Sequence, residues 1–468
     1  MNIESKRIIK VLVALSGLLI SVIIYLSYFE IFRADHIVGN NYNKRQWINE
    51  EYVLRGMIVD RNGKILAKSE KVQNGQVRQY PFGNLYSHTV GYSDKAYGKS
   101  GLESSYNEKL LNMHGNNPFK EMKEKITGPR ENGNNLILTV DHDLQRYAEQ
   151  RLKGKKGAII LMNPKNGEIY TMVSKPDFDP SSLTKNWKDI TEDQDSPLLN
   201  RATMGLYTPG SVFKVITATA ALEHEDIKKK YACEGAVNID GYILRDYKEK
   251  AHGEVGLEEA MVSSCNVAFS QIGLEVGEAT LKNTAEKYMF NKIIPFDLLT
   301  KTSSFPQSGR MSRPELGASA IGQGKILTTP LNMVMTASAI ANDGLMMKPI
   351  LVKEVISPEG KTISINNSKI LSRTSSASTA KEIKNMMIKV VQQGTGKNAS
   401  IKNVTVAGKT GTAENESAKE HAWFIGFAPA EDPKLAIAVV LENIGSTGGT
   451  SAAPIARDIL ITALKKLK

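Results

Sequence analysis

The chain of 468 residues carries only two cysteines, Cys233 and Cys265. No disulfide framework can therefore hold it together. One bridge between the two cannot be deduced from sequence, and two separate buried thiols are the expected state. The chain also has no H-E-x-x-H, G-x-S-x-G or Walker pattern, so the zinc-protease, nucleophile-elbow and P-loop chemistries find no support. Internal repeats and long low-complexity tracts are missing too, which argues against solenoids and disorder. What remains is an ordinary globular composition, 41% apolar and 23% charged, on a chain longer than the usual single domain.

One apolar run stands apart. Residues 11–29, VLVALSGLLISVIIYLSYF, contain no ionisable side chain other than Tyr25 and Tyr28. As a helix at about 1.5 Å per residue the run reaches roughly 28 Å, close to the hydrocarbon thickness of a bilayer. Lys6, Arg7 and Lys10 precede it, so the positive-inside bias places the N-terminus in the cytoplasm and the rest outside. The following FEIFRADH offers no small-x-small cleavage site, so an uncleaved single-pass anchor in the cell membrane is expected. That topology removes nucleic acid as the partner for a net charge of +11. An anionic membrane face, an anionic wall polymer or a merely solubilising surface all fit it.

The expected organisation is a cytoplasmic tail (1–10), the anchor (11–29), a membrane-proximal module (30–150) and a catalytic domain (151–468). MIVDRNGKILA, with Asn62-Gly63 between two apolar alternations, predicts a hairpin. Residues 134–141 read as a strand and 142–153 as an amphipathic helix; residues 157–174 read as two strands about a turn at 163–167. Residues 175–210 read as loop, residues 211–341 as mainly helical, and residues 371–380 as a Ser/Thr-rich loop. Strands return in VTVAGKTGTAE, AWFIGFAP and KLAIAVVLEN, and a helix from about residue 453 closes the chain. Strands at both ends of a helical middle predict an α+β domain whose sheet joins its own termini.

Three short patterns could carry chemistry. In LYTPGSVFKVITATAALE, Thr208-Pro209 fits a helix start with Thr as cap, which puts Ser211 in the first turn, where backbone N–H groups lack acceptors. Lys214 shares that face and can reach the hydroxyl. To act as a base at pH 7 it must lose roughly 4 kcal/mol of preference for its charged form, which burial in so apolar a helix can supply. S-x-x-K also occurs at Ser182/Lys185 and Ser378/Lys381, but in polar, loop-like settings. In SSCNVAF, Ser264 and Asn266 offer a hydroxyl for proton transfer and an amide to grip a peptide bond. In GKTGT, Lys409, Thr410, Gly411 and Thr412 place a cation and hydroxyls along a strand that can align a peptide and hold a carboxylate. Singly, each also fits a helix cap or a turn. Their order is more specific: S-x-N follows 53 residues after Ser211 and K-T-G another 145 on, the active-serine set of penicillin-binding proteins and serine β-lactamases.

With RGMIVDRNG, GLESSYNEKL, TVDHDLQ, NPKNGEI, AIGQG, QQGTG and HAWFIGFAP around those motifs, the chain resembles a class B penicillin-binding protein, a peptidoglycan D,D-transpeptidase. The resemblance implies a penicillin-binding, serine β-lactamase-like domain, an antiparallel sheet flanked by helices, with a smaller membrane-proximal module and one transmembrane helix. It implies Ser211 as nucleophile, Lys214 as its general base and Ser264 as proton relay. Asn266 binds the substrate amide, Lys409 assists the proton network and carboxylate, Thr410 and Thr412 contact that carboxylate, and the N–H groups of Ser211 and Thr412 form the oxyanion hole. Stem peptides ending in D-Ala-D-Ala are the implied substrate, β-lactams covalent inhibitors, and a SEDS-family glycan polymerase the implied membrane partner, with no metal and no cofactor. Asp60, Arg61 and Glu103 are expected to be structural.

Overall fold

The computed structural model describes residues 3–32, 53–73, 75–113, 132–224, 227–306, 311–414 and 419–467. The stretch 33–36 inspected for a cleavage site and the polar segment 114–131 lie outside the described residues. The apolar run forms the helix Ile3–Phe32, long and apolar enough over Ser5–Phe29 to cross a membrane, with none of that span buried against protein.

The predicted hairpin forms between Ile58–Val59 and Ile65–Val72. Its turn is tied by Asp60, whose Oδ1 accepts from the amides of Asn62 (2.8 Å) and Lys64 (2.7 Å). Asp60 Oδ2 also accepts from His142 N at 3.1 Å, and Arg61 lies over the Tyr170 ring at 4.4 Å. Both residues thus anchor the hairpin to its neighbours. Glu103 is fully buried and takes the guanidinium groups of Arg55 and of Arg78, the latter at 2.6 Å. Burial pushes its carboxyl up, and the two arginines more than reverse this, holding it below the usual carboxylate range. Glu103→Ala leaves two guanidiniums without their carboxylate, so a loss of about 3–5 kcal/mol is expected. Calorimetry should show a lowered Tm, while the folded fraction keeps its acylation by penicillin.

These strands belong to a six-stranded sheet in the order Thr362–Ile365, Val352–Ile356, Asn135–Leu138, Ile58–Val59, Ile65–Val72, Gly75–Gln79. Two of its strands come from residues 352–365, so the chain re-enters this sheet late and the two sheets are not divided at residue 150.

The second sheet is antiparallel throughout, ordered Ala407–Ala413, His421–Ala428, Leu435–Leu441, Gly157–Met162, Ile169–Lys175. It joins the two ends of the catalytic segment, as the strand pattern predicts. Its central strands are buried on both faces, which explains their near-continuous apolar sequence. Ile160, Met162, Ala436, Ala438 and Val440 share one core with the helix Pro330–Ala341. Ile159, Leu161, Ile437 and Val439 face the other way, into a core with the helix Gly448–Lys466.

Four readings need correction. Residues 175–210 contain the helix Leu183–Glu192; its Trp187 stacks on Tyr97 at 4.1 Å, a tertiary contact that outweighs the polar local composition. Residues 371–380 are a strand end and a helix start, Ser376 Oγ capping Ala377–Gln393 by accepting from Thr379 N at 3.1 Å. The last helix begins at Gly448 rather than near residue 453, capped by Thr447 and continuing through Pro454. Within the helical middle, two small hairpins intervene: Tyr231–Cys233 with Gly253–Val255, and Ala236–Ile239 with Tyr242–Arg245.

Candidate active site

Ser211 lies on a single 3₁₀ turn, Gly210–Phe213, and the α-helix proper starts at Lys214. The expected Thr208 cap is not there. Pro209 is already helical, Gly210 has φ +55°, and Thr208 O instead accepts from Trp423 Nε1 at 3.1 Å. The reason is close packing of this turn against the strand Ala407–Ala413. A Cβ on Gly210 would sit 2.7 Å from Thr412 O, and one on Gly411 would sit 2.9 Å from Pro209 O. Two glycines thus let a helix start and an edge strand touch, and Ser211, Thr410 and Thr412 come to line one cleft of about 570 Å³.

Lys214 is fully buried, as its apolar helix requires. Its Nζ donates to Ser264 O (2.6 Å) and Asn266 Oδ1 (2.7 Å), lies 3.4 Å from Ser264 Oγ, and sits 5.3 Å from the Phe269 ring centroid. Ser264 and Asn266 occupy the corner between the helices Leu257–Ser263 and Asn266–Val276, where Ser264 adopts φ +61°. From the edge strand, Lys409 Nζ donates to Ser264 Oγ at 2.7 Å and to Thr410 O at 3.1 Å. Thr410 Oγ1 pairs with Thr395 Oγ1 at 2.6 Å, and Thr412 Oγ1 accepts from Gly448 N at 3.4 Å.

The structure therefore brings Lys214, Ser264, Asn266 and Lys409 into one hydrogen-bonded group, with Ser211, Thr410 and Thr412 at the adjoining cleft. It does not show the direct Ser211–Lys214 bond. Among the described residues Ser211 Oγ makes no hydrogen bond, and Lys214 is engaged by the S-x-N corner instead. Two participants have no counterpart among the residues singled out from sequence. Thr395, inside QQGTG, positions Thr410. Asp246 accepts from Asn266 N at 3.2 Å and belongs to a cluster with Cys233, His252 and Cys265 whose ligand-type atoms all lie within 4.8 Å of one another.

Electrostatics set the proton state. Burial lowers Lys214 from the ordinary lysine value to about 8, against an upward pull from Asp246. Burial, then the positive charge of Lys214, drives Lys409 well below its ordinary value. Two lysines aimed at one serine hydroxyl in a dry site disfavour each other's charge, so the arrangement favours the neutral amine that a base requires.

A family model for the penicillin-binding protein transpeptidase domain matches residues 157–461. The chain belongs to the penicillin-binding protein transpeptidase family. A second model, the penicillin-binding protein A dimerisation domain, matches residues 55–136. Peptidoglycan D,D-transpeptidase PbpA of Mycolicibacterium smegmatis is 31% identical over 499 residues, covering 100% of both chains. Stage V sporulation protein D of Bacillus subtilis is 34% identical over 434 residues, 86% of this chain and 66% of that one. Among solved structures, penicillin-binding protein A from M. tuberculosis as a ceftriaxone acyl-enzyme complex superimposes with TM-score 0.82 at 30% identity, over 89% of this chain and 100% of that one. The fold is shared with that structure: an antiparallel sheet flanked by helices.

Proposed function

We propose that this chain is a peptidoglycan D,D-transpeptidase working through a Ser211 acyl-enzyme. The observation that carries the reading is the meeting of Lys214 and Lys409 on Ser264 Oγ, beside the cleft that holds Ser211. Ser211 Oγ attacks the carbonyl between the two terminal D-alanines of a stem peptide, and its proton passes to neutral Lys214. Catalytic hydrogen bonds of this kind commonly tighten only once substrate is bound. The N–H groups of Ser211 and Thr412 hold the oxyanion. When the C–N bond breaks, Ser264 relays the proton from Lys214 to the leaving D-alanine, with Lys409 completing the network. Asn266 binds the substrate amide; Thr410, Thr412 and Lys409 hold the terminal carboxylate, and Gly411 keeps the strand close enough to do so. An amine from a second stem peptide then attacks the ester, returns a proton to Ser211 and leaves a crosslink.

β-Lactams present a strained amide to the same serine, and the penicillin-binding protein A of M. tuberculosis is known as acyl-enzyme complexes with ceftriaxone, imipenem and penicillin G. In a test with a D-Ala-D-Ala peptide and a D-amino acid acceptor, mass spectrometry should show the acceptor exchanged into the peptide. Release of free acid alone would mark a hydrolase and overturn the transpeptidase reading.

The apolar helix is proposed as a single-pass anchor with residues 1–10 in the cytoplasm, supported by Lys6, Arg7 and Lys10 on its N-terminal side, and as the docking element for a SEDS-family glycan polymerase. Protease added to intact spheroplasts should then remove the penicillin-binding part, and photocrosslinkers in the helix should capture the polymerase. Protection from protease, or crosslinks only to lipid, would reject the respective half.

A further inference from the structure

We infer that Tyr207 and Glu442, with Arg201 behind them, are positioning residues that set the Ser211 turn against the edge strand and so fix the width of the oxyanion hole. The inference rests on the Ser211 acyl-enzyme proposed above and concerns residues outside the three serine motifs. The two N–H groups of that hole belong to separate elements, Ser211 N to the 3₁₀ turn Gly210–Phe213 and Thr412 N to the strand Ala407–Ala413. Among the described residues no backbone hydrogen bond joins this turn to that strand. Their separation therefore depends on what holds the chain just before Ser211.

Tyr207, four residues before the serine, is held from three sides. Its backbone pairs with Thr328 in both directions, Tyr207 N donating to Thr328 O at 2.9 Å and Thr328 N to Tyr207 O at 2.8 Å. Its ring meets Trp423 and His421 edge to face, with centroids 6.0 and 5.4 Å away, and Trp423 Nε1 donates to the next carbonyl, Thr208 O. Its hydroxyl donates to Glu442 Oε1 at 2.5 Å, the oxygen that also accepts from Arg201 Nε at 2.7 Å. Glu442 directly follows Leu435–Leu441, the middle strand of the five, and its own N–H donates to Lys156 O at 2.8 Å. His421 and Trp423 lie on the strand that pairs with Ala407–Ala413, where Ala422 stands opposite Thr412. The segment before Ser211 is thus pinned to the same sheet that carries Thr412.

A carboxylate suits this task. Arg201 and Tyr207 are buried, and the other guanidinium nitrogens of Arg201 donate to Ser196 O and Asp195 O, which fixes the cation independently of Glu442. An ionised acceptor gives the phenol a charge-assisted bond, roughly twice as strong as a neutral one. Burial, and then the facing Glu442 charge, raise the Tyr207 phenol well above its ordinary value, which keeps it a donor. Two N–H groups held in advance where the oxyanion forms act in the transition state and not in ground-state binding. No sequence pattern marks the pair, because Glu442 lies 235 residues from Tyr207 and reaches it only when the sheet is assembled. None of the three residues touches the reacting atoms.

Tyr207→Phe keeps the ring and deletes the hydroxyl. In full-length protein in detergent, stopped-flow acylation over a series of fluorescent penicillin concentrations should show a limiting rate about 10–100-fold below wild type, since an ångström of misplacement costs up to about 10². The dissociation constant of the noncovalent complex should not change, as expected when only transition-state binding is lost. A boronic acid with a penicillin-like side chain gives a second readout: Ser211 Oγ adds to the vacant boron orbital, loses its proton to the base, and leaves a boron-bound oxygen in the hole. Its affinity should fall by the same factor as the rate. Glu442→Gln, which still accepts from the phenol but without charge, should also be slower than wild type, and the double variant little slower than the slower single one, because the two residues act through one contact. A limiting rate and boronate affinity within about twofold of wild type in Tyr207→Phe would overturn the inference. So would a lower Tm and a smaller labelled fraction whose rate is that of wild type, the mark of a purely structural contact, or fully additive effects in the double variant. If Tyr207→Phe does not fold, the same two measurements on Glu442→Gln decide. Failure of the acyl-enzyme reading itself would show as labelling of Ser211→Ala protein, which this comparison leaves untouched.

Discussion

Ser211→Ala is expected to abolish covalent labelling by fluorescent penicillin, a loss of at least about 10³-fold, because removing an active-site nucleophile typically costs far more than removing any supporting group. The substitution should leave the fold untouched. Among the described residues the Ser211 hydroxyl makes no hydrogen bond, and the side chain is only partly buried, so Tm should change little. Labelled Ser211→Ala protein, seen by gel fluorescence and intact mass, would show that another residue is the nucleophile. An unlabelled but unfolded variant is separated from the expected result by its calorimetric trace.

The second large effect concerns Lys214. Lys214→Arg should lower the acylation rate by about 10²–10⁴-fold, the range associated with loss of a general base, because a guanidinium keeps its proton at any accessible pH. Since the position is fully buried, Lys214→Met serves as a companion that fits a dry site without a charge. It should be equally slow while remaining folded. In the wild type, the rate of acylation should rise with pH and level off above about 8, where Lys214 loses its proton. Stability carries the same signature. The folded state holds Lys214 near 8 and the unfolded chain near 10.5, so between those values the unfolded chain binds more protons and stability increases with pH. A displacement of that size corresponds to ~3 kcal/mol. The wild-type gain on going from pH 7 to pH 10, measured by thermal unfolding, should be reduced in Lys214→Met. A flat wild-type rate profile from pH 6 to 9 would remove Lys214 from the role of base.

Much of this site was legible because its chemistry is concentrated in three short stretches. The apolar helix after Ser211 announces a dry environment for Lys214, and burial of Lys214 and Lys409 is what the structure shows. The hairpin at Asn62-Gly63 and the strands 157–175 and 407–441 follow from local turn chemistry and alternation, which act over a few residues. The helix Leu183–Glu192 was hidden for the opposite reason. It is held by Trp187 on Tyr97 and by Leu183 in a small core with Tyr92, contacts to a distant segment that no local pattern encodes. The start of the Ser211 helix was misplaced because Thr-Pro-Gly-Ser reads as a cap when isolated, whereas packing against Thr412 and Ala413 forces Gly210 into a left-handed conformation.

By itself the sequence determined the family resemblance, the apolar span, and the identity and order of the residues with chemistry to offer, since residue type and short spacing are properties of the chain alone. Only the tertiary structure decided how they meet. Lys214 pairs with Ser264 and Asn266 rather than with the serine three residues before it, and Lys409 reaches the Ser264 hydroxyl from a strand 145 residues away. Contacts of that kind are set by the packing of helices against a sheet edge, where a shift of an ångström changes partners and the local sequence does not.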